Sequence, residues 1–424
     1  MKIKERLCNL TKMKSVKNGM WMYVLQIFNT IVPLLTLPYI TRILGSSRYG
    51  IFSIALNIIG YLQVFVEYGF DMSATRKVVL SNKGNECKNH IFSTVILSRF
   101  LLLGFCVLFS SIYIFCNKDS VQLCLALAML LVSLLGACLQ QNWLFQGMQD
   151  MKYISIINII SRIVSVLLIF LLVKTHDDLI LYCFLYSIAP LVNGIIGICL
   201  VKKKYKIHLI KVSFVDIWIE MKAGWYVFTT QLSSKVFGAI GITFLGTFAD
   251  SSTVGIYSAI QKIPNIMMLA WMPISQVLYP ISSQKMQTSL EEGKLFVYKI
   301  RRLIIPIFLA GIIMVGLYSR SIVNIVFGEE YVASYYWIFP LLAWMIVGID
   351  NNFKGIQILL GSGHDKEYSR CFQLGVGCTV LFNFVLIYLY GGLGAAIAPL
   401  LSEGVLGVAL KHEIKKLEKR AGGS

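Results

Sequence analysis

Several basic residues of this sequence lie within apolar stretches, where a fixed positive charge is costly. Arg162 falls near the middle of ISIINIISRIVSVLLIFLLV (154–173), and Lys235, Lys262 and Arg99 lie in other apolar stretches. A charge at depth in a bilayer costs about 2.5–3.5 kcal/mol or more, and such a side chain usually faces a cavity or an opposite charge. Because guanidinium and ammonium groups bind phosphate and carboxylate, these residues favour compensation of a bound negative charge.

Three of these stretches carry small polar side chains on the same helix face as the cation. Around Arg162, for example, Ser161 and Ser165 fall within about 120° of the cation at 100° per residue. The same pattern surrounds Lys235 and Lys262. The helical neighbours of Arg99 are mostly apolar, so Arg99 either joins the substrate-binding cations, extends to the membrane surface or pairs with a carboxylate. We therefore predict a shared, water-filled cationic cavity walled by both halves of the chain. Its expected polar lining comprises Asn158, Ser155, Gln231, Ser234, Gln261 and Asn265.

Acidic residues at depth are fewer and suggest ion coupling. Glu403 lies in the last apolar stretch with no partner nearby in sequence, and a lone buried carboxylate suits proton exchange. Asp350 is four residues before Lys354, so the two are expected to form an ion pair on one helix face, although Asp350 is also a coupling candidate.

The sequence shows no catalytic or metal-ligand spacing. None of the ten cysteines forms CxxC, and the five histidines do not form HExxH. We expect neither an enzyme nor a bound cofactor or metal, and any driving ion is expected to be a proton or sodium.

The composition places these residues in membrane helices. Of the 424 residues, 57% are hydrophobic and 14% are charged, and the mean hydropathy is +0.71. Segments of about 20 apolar residues, each sufficient to cross a bilayer, recur along the chain. The prediction is an all-α polytopic membrane protein with about twelve transmembrane helices. The net charge of +18 lies in alternate loops, which indicates cytoplasmic termini rather than nucleic-acid binding.

An internal repeat divides the chain into two halves. SSRYGIFS (46–53) and SSTVGIYS (251–258) share most of their residues, and each opens a predicted span. We predict two pseudo-symmetric six-helix lobes, at 1–201 and 225–424. The basic and apolar segment 202–224 is the expected cytoplasmic linker, either a solvated loop or a helix on the membrane surface.

Five stretches distributed over both halves resemble Wzx-type polysaccharide flippases, which belong to the MOP superfamily. They are PYITRILGSSRYGIFSIA (38–55), EYGFDMSATRKVV (67–79), NWLFQGMQDMKYISI (142–156), IVNIVFGEEYVAS (322–334) and ILLGSGHDKEYS (358–369). The resemblance implies the MOP fold in a bacterial inner membrane. It also implies movement of lipid-diphosphate-linked oligosaccharide, such as an O-antigen unit, from the cytoplasmic to the periplasmic leaflet.

The resemblance also carries expectations for residues and partners. The arginine of the family's first-loop motif corresponds to Arg42, which we therefore expect among the substrate-binding cations of the cavity. The expected partners are polyprenyl-diphosphate-linked oligosaccharide and membrane lipids, and the polymerase and chain-length proteins of such a pathway are further candidates.

Two other functions stay open on the sequence. A MATE-like small-molecule exporter would share the fold, but exporters of cationic drugs favour acidic cavities. A membrane polysaccharide polymerase or ligase would need a sizeable outside loop, and no predicted outside loop exceeds about 15 residues.

Overall fold

In the computed structural model, residues 2–81 and 84–421 are described, with side chains from 17 to 81 and from 84 to 419. These residues form fourteen α-helices joined by short turns, and no strand occurs among them. The helices are α1 (Lys2–Glu67), α2 (Phe70–Leu80), α3 (Asn85–Cys116), α4 (Val121–Leu139), α5 (Asn142–Gly147), α6 (Met151–Leu172), α7 (Leu179–Leu200), α8 (Phe214–Phe248), α9 (Ser251–Ile260), α10 (Lys262–Thr288), α11 (Leu290–Leu317), α12 (Ser319–Phe327), α13 (Ile338–Asn352) and α14 (Asp365–Ala421). Segments of 3₁₀-helix occupy His176–Asp178 and Glu329–Trp337, and π-helical turns occupy Val201–Tyr205 and Phe353–Leu360.

The two longest helices are each broken by a glycine. Gly45 interrupts α1 with φ 72°, and Gly391 interrupts α14 with φ 55°. Positive φ is costly for residues with a Cβ, so glycine permits the kink at these points. Among the described residues, eight helices are long and apolar enough to cross a membrane. The all-α membrane fold is thus confirmed, whereas the number of twelve spans stays a prediction.

The chain forms two compact units. Unit 1 contains residues 1–36 and 54–235, and unit 2 contains residues 37–53 and 236–424. All three boundaries between the units fall inside helices, two within α1 and one within α8. The first repeat, 46–53, therefore belongs to unit 2 although it lies early in the sequence. The proposed lobes at 1–201 and 225–424 stay a prediction.

The linker expected at 202–224 is only partly helical. Residues 206–213 carry no regular structure, and α8 begins at Phe214 and runs directly into the next apolar stretch. Phe214 and Trp218 leave 68% and 62% of their surface exposed. Such exposed aromatic residues beside basic ones are typical of a segment at a membrane interface.

Glycines bring α4 and α7 together within unit 1. A Cβ built on Gly136 would lie 2.4 Å from the Pro190 carbonyl carbon, and one on Gly194 would lie 2.6 Å from Leu139 Cβ. Residues 136 and 194 therefore have to be glycine for the backbones to approach this closely. This contact fixes the rotation of α7, and its polar face becomes one wall of the cavity described next.

Candidate functional site: a cationic cavity in unit 1

A cavity of about 440 Å³ lies within unit 1. Its walls come from α1, α4, α6, α7 and α8. The polar and charged residues that line it are Asn29, Thr36, Gln63, Ser133, Gln140, Asn158, Ser161, Arg162, Ser165, Tyr182, Tyr186, Asn193 and Lys235. Among the described lining residues, the two charged side chains are both cations.

Two serines fix the orientation of α6. Ser155 Oγ donates to the Trp21 carbonyl at 2.7 Å, and Ser165 Oγ donates to the Leu185 carbonyl at 2.7 Å. These bonds tie one face of α6 to α1 and to α7. Arg162 lies between the two serines on the same face, so its side chain is directed into the cavity.

Arg162 is the cation of the cavity whose side chain is best placed to bind a ligand. It is half-buried, and within the described residues no hydrogen bond or ion pair engages its guanidinium. Next to it, Ser161 is 1% exposed, and its hydroxyl has no partner among the described atoms. A buried group without a partner costs about 1–3 kcal/mol. A ligand with oxygen acceptors, or water, would satisfy both residues.

Lys235 supplies the second positive charge. Its Nζ lies 5.5 Å from the centroid of the Tyr61 ring, within the range of a cation–π interaction. A Cβ built on Gly60 would lie 2.4 Å from the same Nζ. The missing side chain at Gly60 thus leaves the space into which the ammonium group extends.

Arg162, Lys235 and Asn158 line one cavity together, but one of its walls was not among the residues predicted from the sequence. Tyr182, Tyr186 and Asn193 of α7 also line the cavity. The signal was available, because residues four and seven apart fall on one helix face. The hydroxyls of these tyrosines were overlooked because aromatic residues are also common in apolar packing.

Arg99 pairs with a carboxylate, which was one of the alternatives for this residue in the sequence, and not with a ligand in the cavity. It is 1% exposed and does not line the cavity; its guanidinium donates to Asp71 Oδ1 at 2.8 Å and to the Gln140 carbonyl at 2.7 Å. These partners connect α3 with α2 and with the end of α4. Arg99 therefore holds helices together, and its charge is compensated inside the protein.

Replacing Asp71 with asparagine tests this structural role. We expect the free energy of unfolding to fall by about 1–3 kcal/mol, because the buried guanidinium of Arg99 would lose its carboxylate partner. The decrease is kept small because solvent screens the partly exposed carboxylate of Asp71. Thermal unfolding in detergent measures the change, with the exposed Asp119→Asn as the matched control. Unchanged stability together with lost activity would instead favour a direct role for Arg99.

Arg42 is also outside the cavity. It belongs to unit 2, where its guanidinium donates to the Ile325 carbonyl at 2.5 Å and to the Asn324 carbonyl at 3.4 Å. Both carbonyls belong to the last turn of α12, whose partial negative charge attracts a cation. The expectation that Arg42 faces the cavity was wrong, because this contact between segments distant in sequence uses its charge.

The other residues that the sequence assigned to the cavity lie elsewhere in the structure. Ser155 contacts α1, as described above. Gln231 and Ser234 line an open groove beside Glu67 and Thr230. The structure places Gln261 and Asn265 in a separate cavity of unit 2. The exposed Lys262 lines neither of these two cavities. A stripe on a helix predicts which face is polar but not which neighbour it meets.

The acidic candidates both have partners in unit 2. Asp350 pairs with Lys354 at 2.5 Å, as the sequence predicted, and also with Arg301. Glu403 is 7% exposed and accepts a hydrogen bond of 2.6 Å from Asn351 Nδ2. The partner of Glu403 is thus a neutral amide that is distant in sequence, and no cation forms an ion pair with Glu403 among the described residues.

The two repeat segments contact each other within unit 2. Ser46 Oγ and Ser252 Oγ share a hydrogen bond of 2.6 Å. A Cβ on Gly50 would lie 1.7 Å from the Ser251 carbonyl oxygen, and one on Gly255 would lie 1.9 Å from the Ser46 carbonyl oxygen. The contact is reciprocal, as expected for two copies related by a pseudo-two-fold axis.

Comparison with known proteins agrees with this architecture. The family described as "Polysaccharide biosynthesis protein" matches residues 15–286. The "Putative O-antigen transporter" of Escherichia coli (strain K12) is 27% identical over 395 residues, which cover 93% of this chain and 95% of that protein.

Solved structures show the same fold at low sequence identity. The lipid II flippase MurJ, in an inward closed conformation, matches with a TM-score of 0.72 at 15% identity, covering 94% of this chain and 87% of that one. An inward-facing multidrug resistance MATE transporter of the MOP superfamily matches with a TM-score of 0.63 at 14% identity, covering 92% and 99%. The chain therefore has the MOP superfamily fold and belongs to the polysaccharide biosynthesis protein family.

Proposed function

We propose that this protein flips polyprenyl-diphosphate-linked oligosaccharide units from the cytoplasmic to the periplasmic leaflet of a bacterial inner membrane. Transport would proceed by alternating access, with both termini in the cytoplasm. The observation that carries the proposal is the unit 1 cavity, where the guanidinium of Arg162 has no protein partner among the described residues.

The charge of the substrate explains why such a cavity is useful. A diphosphate must cross about 30 Å of hydrocarbon with its negative charge. Arg162 can bind phosphate oxygens in a bidentate manner, and Lys235 adds a second charge on the same cavity. The polyprenyl tail would stay in the bilayer while the head group moves.

The other residues of the cavity suit the saccharide end of the head group. Asn158, Asn193 and Tyr186 carry the amide and hydroxyl groups that sugar hydroxyls bind. The name of the Escherichia coli relative, an O-antigen transporter, supports a polysaccharide precursor as the cargo. The polymerase and chain-length proteins of such a pathway are proposed as partners of the exported unit.

We further propose that proton or sodium coupling involves Glu403. This buried carboxylate has a neutral amide partner, whereas Asp350 is compensated by two cations. An ion that binds at Glu403 would change the charge inside unit 2, and such a change can favour one transport conformation over another. Asp350 is therefore the weaker candidate.

The alternative functions are less well supported. A small-molecule exporter for cationic drugs would need acidic groups, and the described lining of the cavity contains two cations and no acidic residue. A polymerase or ligase would need groups that activate a nucleophile, and the relative reported above is named as a transporter.

Flipping by the purified protein tests the function directly. The full chain would be placed in vesicles with a fluorescent polyprenyl diphosphate that carries one hexose, and dithionite would bleach the outer leaflet. We expect protein-dependent exchange of this lipid but not of a neutral glycolipid with the same sugar. Equal exchange of both lipids, or none above protein-free vesicles, would contradict the proposal.

In the same assay, Glu403→Gln should remove the response of the flipping rate to an imposed pH or sodium gradient. An unchanged response would reject Glu403 as the coupling site.

A further inference from the structure

A second, smaller cavity lies wholly within unit 2. Its volume is about 270 Å³, below the range of about 300–1,000 Å³ that drug-sized ligands occupy. Residues of α8, α9, α10, α13 and α14 line it, together with Gln261 between α9 and α10. None of its described lining residues is charged. This chemistry differs from that of the cationic cavity and does not suit a diphosphate.

A buried amide oxygen in this cavity lacks a hydrogen-bond donor. Asn383 is 1% exposed; its Nδ2 donates to the Thr379 carbonyl at 2.8 Å, and its Oδ1 has no partner among the described atoms. Such a group costs about 1–3 kcal/mol when it stays unpaired. Because Asn383 lines the cavity, a ligand hydroxyl or a water molecule is the partner it can accept.

The other walls offer the remaining groups that recognise a sugar. Gln261 Nε2 donates to the Tyr257 hydroxyl at 3.1 Å, so that hydroxyl keeps its own hydrogen for a further acceptor. The side-chain amide of Asn265 also lines the cavity. Trp344 and Phe237 supply aromatic surface against which the C–H face of a sugar ring can pack.

We propose that the unit 2 cavity binds one neutral sugar ring of the lipid-linked oligosaccharide. This inference rests on the proposed function, because the sugar is one that the proposed substrate carries. The unit 2 cavity would select the saccharide through its amide, hydroxyl and aromatic groups.

Gly238 provides a variant that fills the cavity without disturbing the fold. A Cβ built there meets nothing within 4 Å, although Gly238 lines the cavity. Gly238→Leu therefore places a side chain in the open space. Gly377→Leu is the matched control, because a Cβ on Gly377 in α14 also meets nothing within 4 Å and Gly377 does not line this cavity. Asn383→Ala removes the unpaired amide as an independent test.

Binding of two probe lipids separates this inference from the proposed function. The full chain in detergent would be titrated with a polyprenyl diphosphate that carries one neutral hexose and with the same lipid without sugar. We expect Gly238→Leu and Asn383→Ala to weaken binding of the sugar-bearing lipid at least about tenfold, which corresponds to about 1.4 kcal/mol. Binding of the bare diphosphate, and both affinities of Gly377→Leu, should not change.

Each other outcome overturns the inference. Equal weakening of both lipids, or of neither, would show that the unit 2 cavity does not read the sugar. If sodium raises the unfolding temperature of the unaltered protein and Asn383→Ala removes that effect while sugar binding persists, the cavity holds a cation instead. Failure of the unaltered protein to bind either lipid would contradict the proposed function, and the sugar site would fall with it.

Discussion

Replacement of Arg162 with alanine is expected to slow flipping of the sugar-bearing diphosphate lipid about 10- to 100-fold while protein abundance is kept. A hydrogen bond to a charged group contributes about 1.5–3 kcal/mol. The guanidinium of Arg162 can donate two such bonds to a single phosphate group. No described protein group would be left unpaired by its removal, since none contacts its guanidinium. The vesicle assay measures the rate, and accumulation of lipid-linked oligosaccharide on the cytoplasmic side is the corresponding result in cells.

Two further variants show whether charge or geometry matters. Arg162→Lys should retain part of the rate, because an ammonium group keeps the charge but loses bidentate binding. Arg302→Ala is the matched control, since Arg302 is exposed on α11 and outside the cationic cavity. A normal rate in Arg162→Ala, or an equal loss in Arg302→Ala, would reject the role of the cavity.

Replacement of Gly50 with valine is the second change for which we expect a large effect. The new Cβ would lie 1.7 Å from the Ser251 carbonyl oxygen, so the two repeat segments would have to move apart. Overpacking of this kind costs about 1–3 kcal/mol. Because the two segments could no longer pack at this distance, we expect at least about a tenfold loss of flipping.

Accessibility of the neighbouring Ser46 distinguishes separation of the repeats from misfolding. Ser46 is 3% exposed, so a Ser46→Cys thiol should be protected from an impermeant maleimide. In the Gly50→Val background it should react. Gly104→Val is the control, because a Cβ on Gly104 in α3 meets nothing within 4 Å. A protected thiol and a normal flipping rate in Gly50→Val would contradict the importance of this contact.

The sequence by itself determined the membrane class and the chemistry of Arg162. Hydropathy sets the spans because the bilayer accepts few charges, and helical periodicity then shows which side chains share a face with the cation. For the same reason the sequence correctly predicted the pair of Asp350 with Lys354, which are neighbours on one helix.

Only the tertiary structure decided which buried cations are available to a ligand. Arg99 and Arg162 are both single arginines within apolar stretches. The more apolar face around Arg99 did not show which residue compensates its charge, which is Asp71 on another helix. Arg42 contacts carbonyls nearly 300 residues away in sequence. Likewise, Gln261 and Asn265 were assigned to the cavity of Arg162 but line another. A helix stripe fixes direction relative to its own axis, whereas charge compensation depends on which neighbouring helix packs there, and packing is a property of the folded chain.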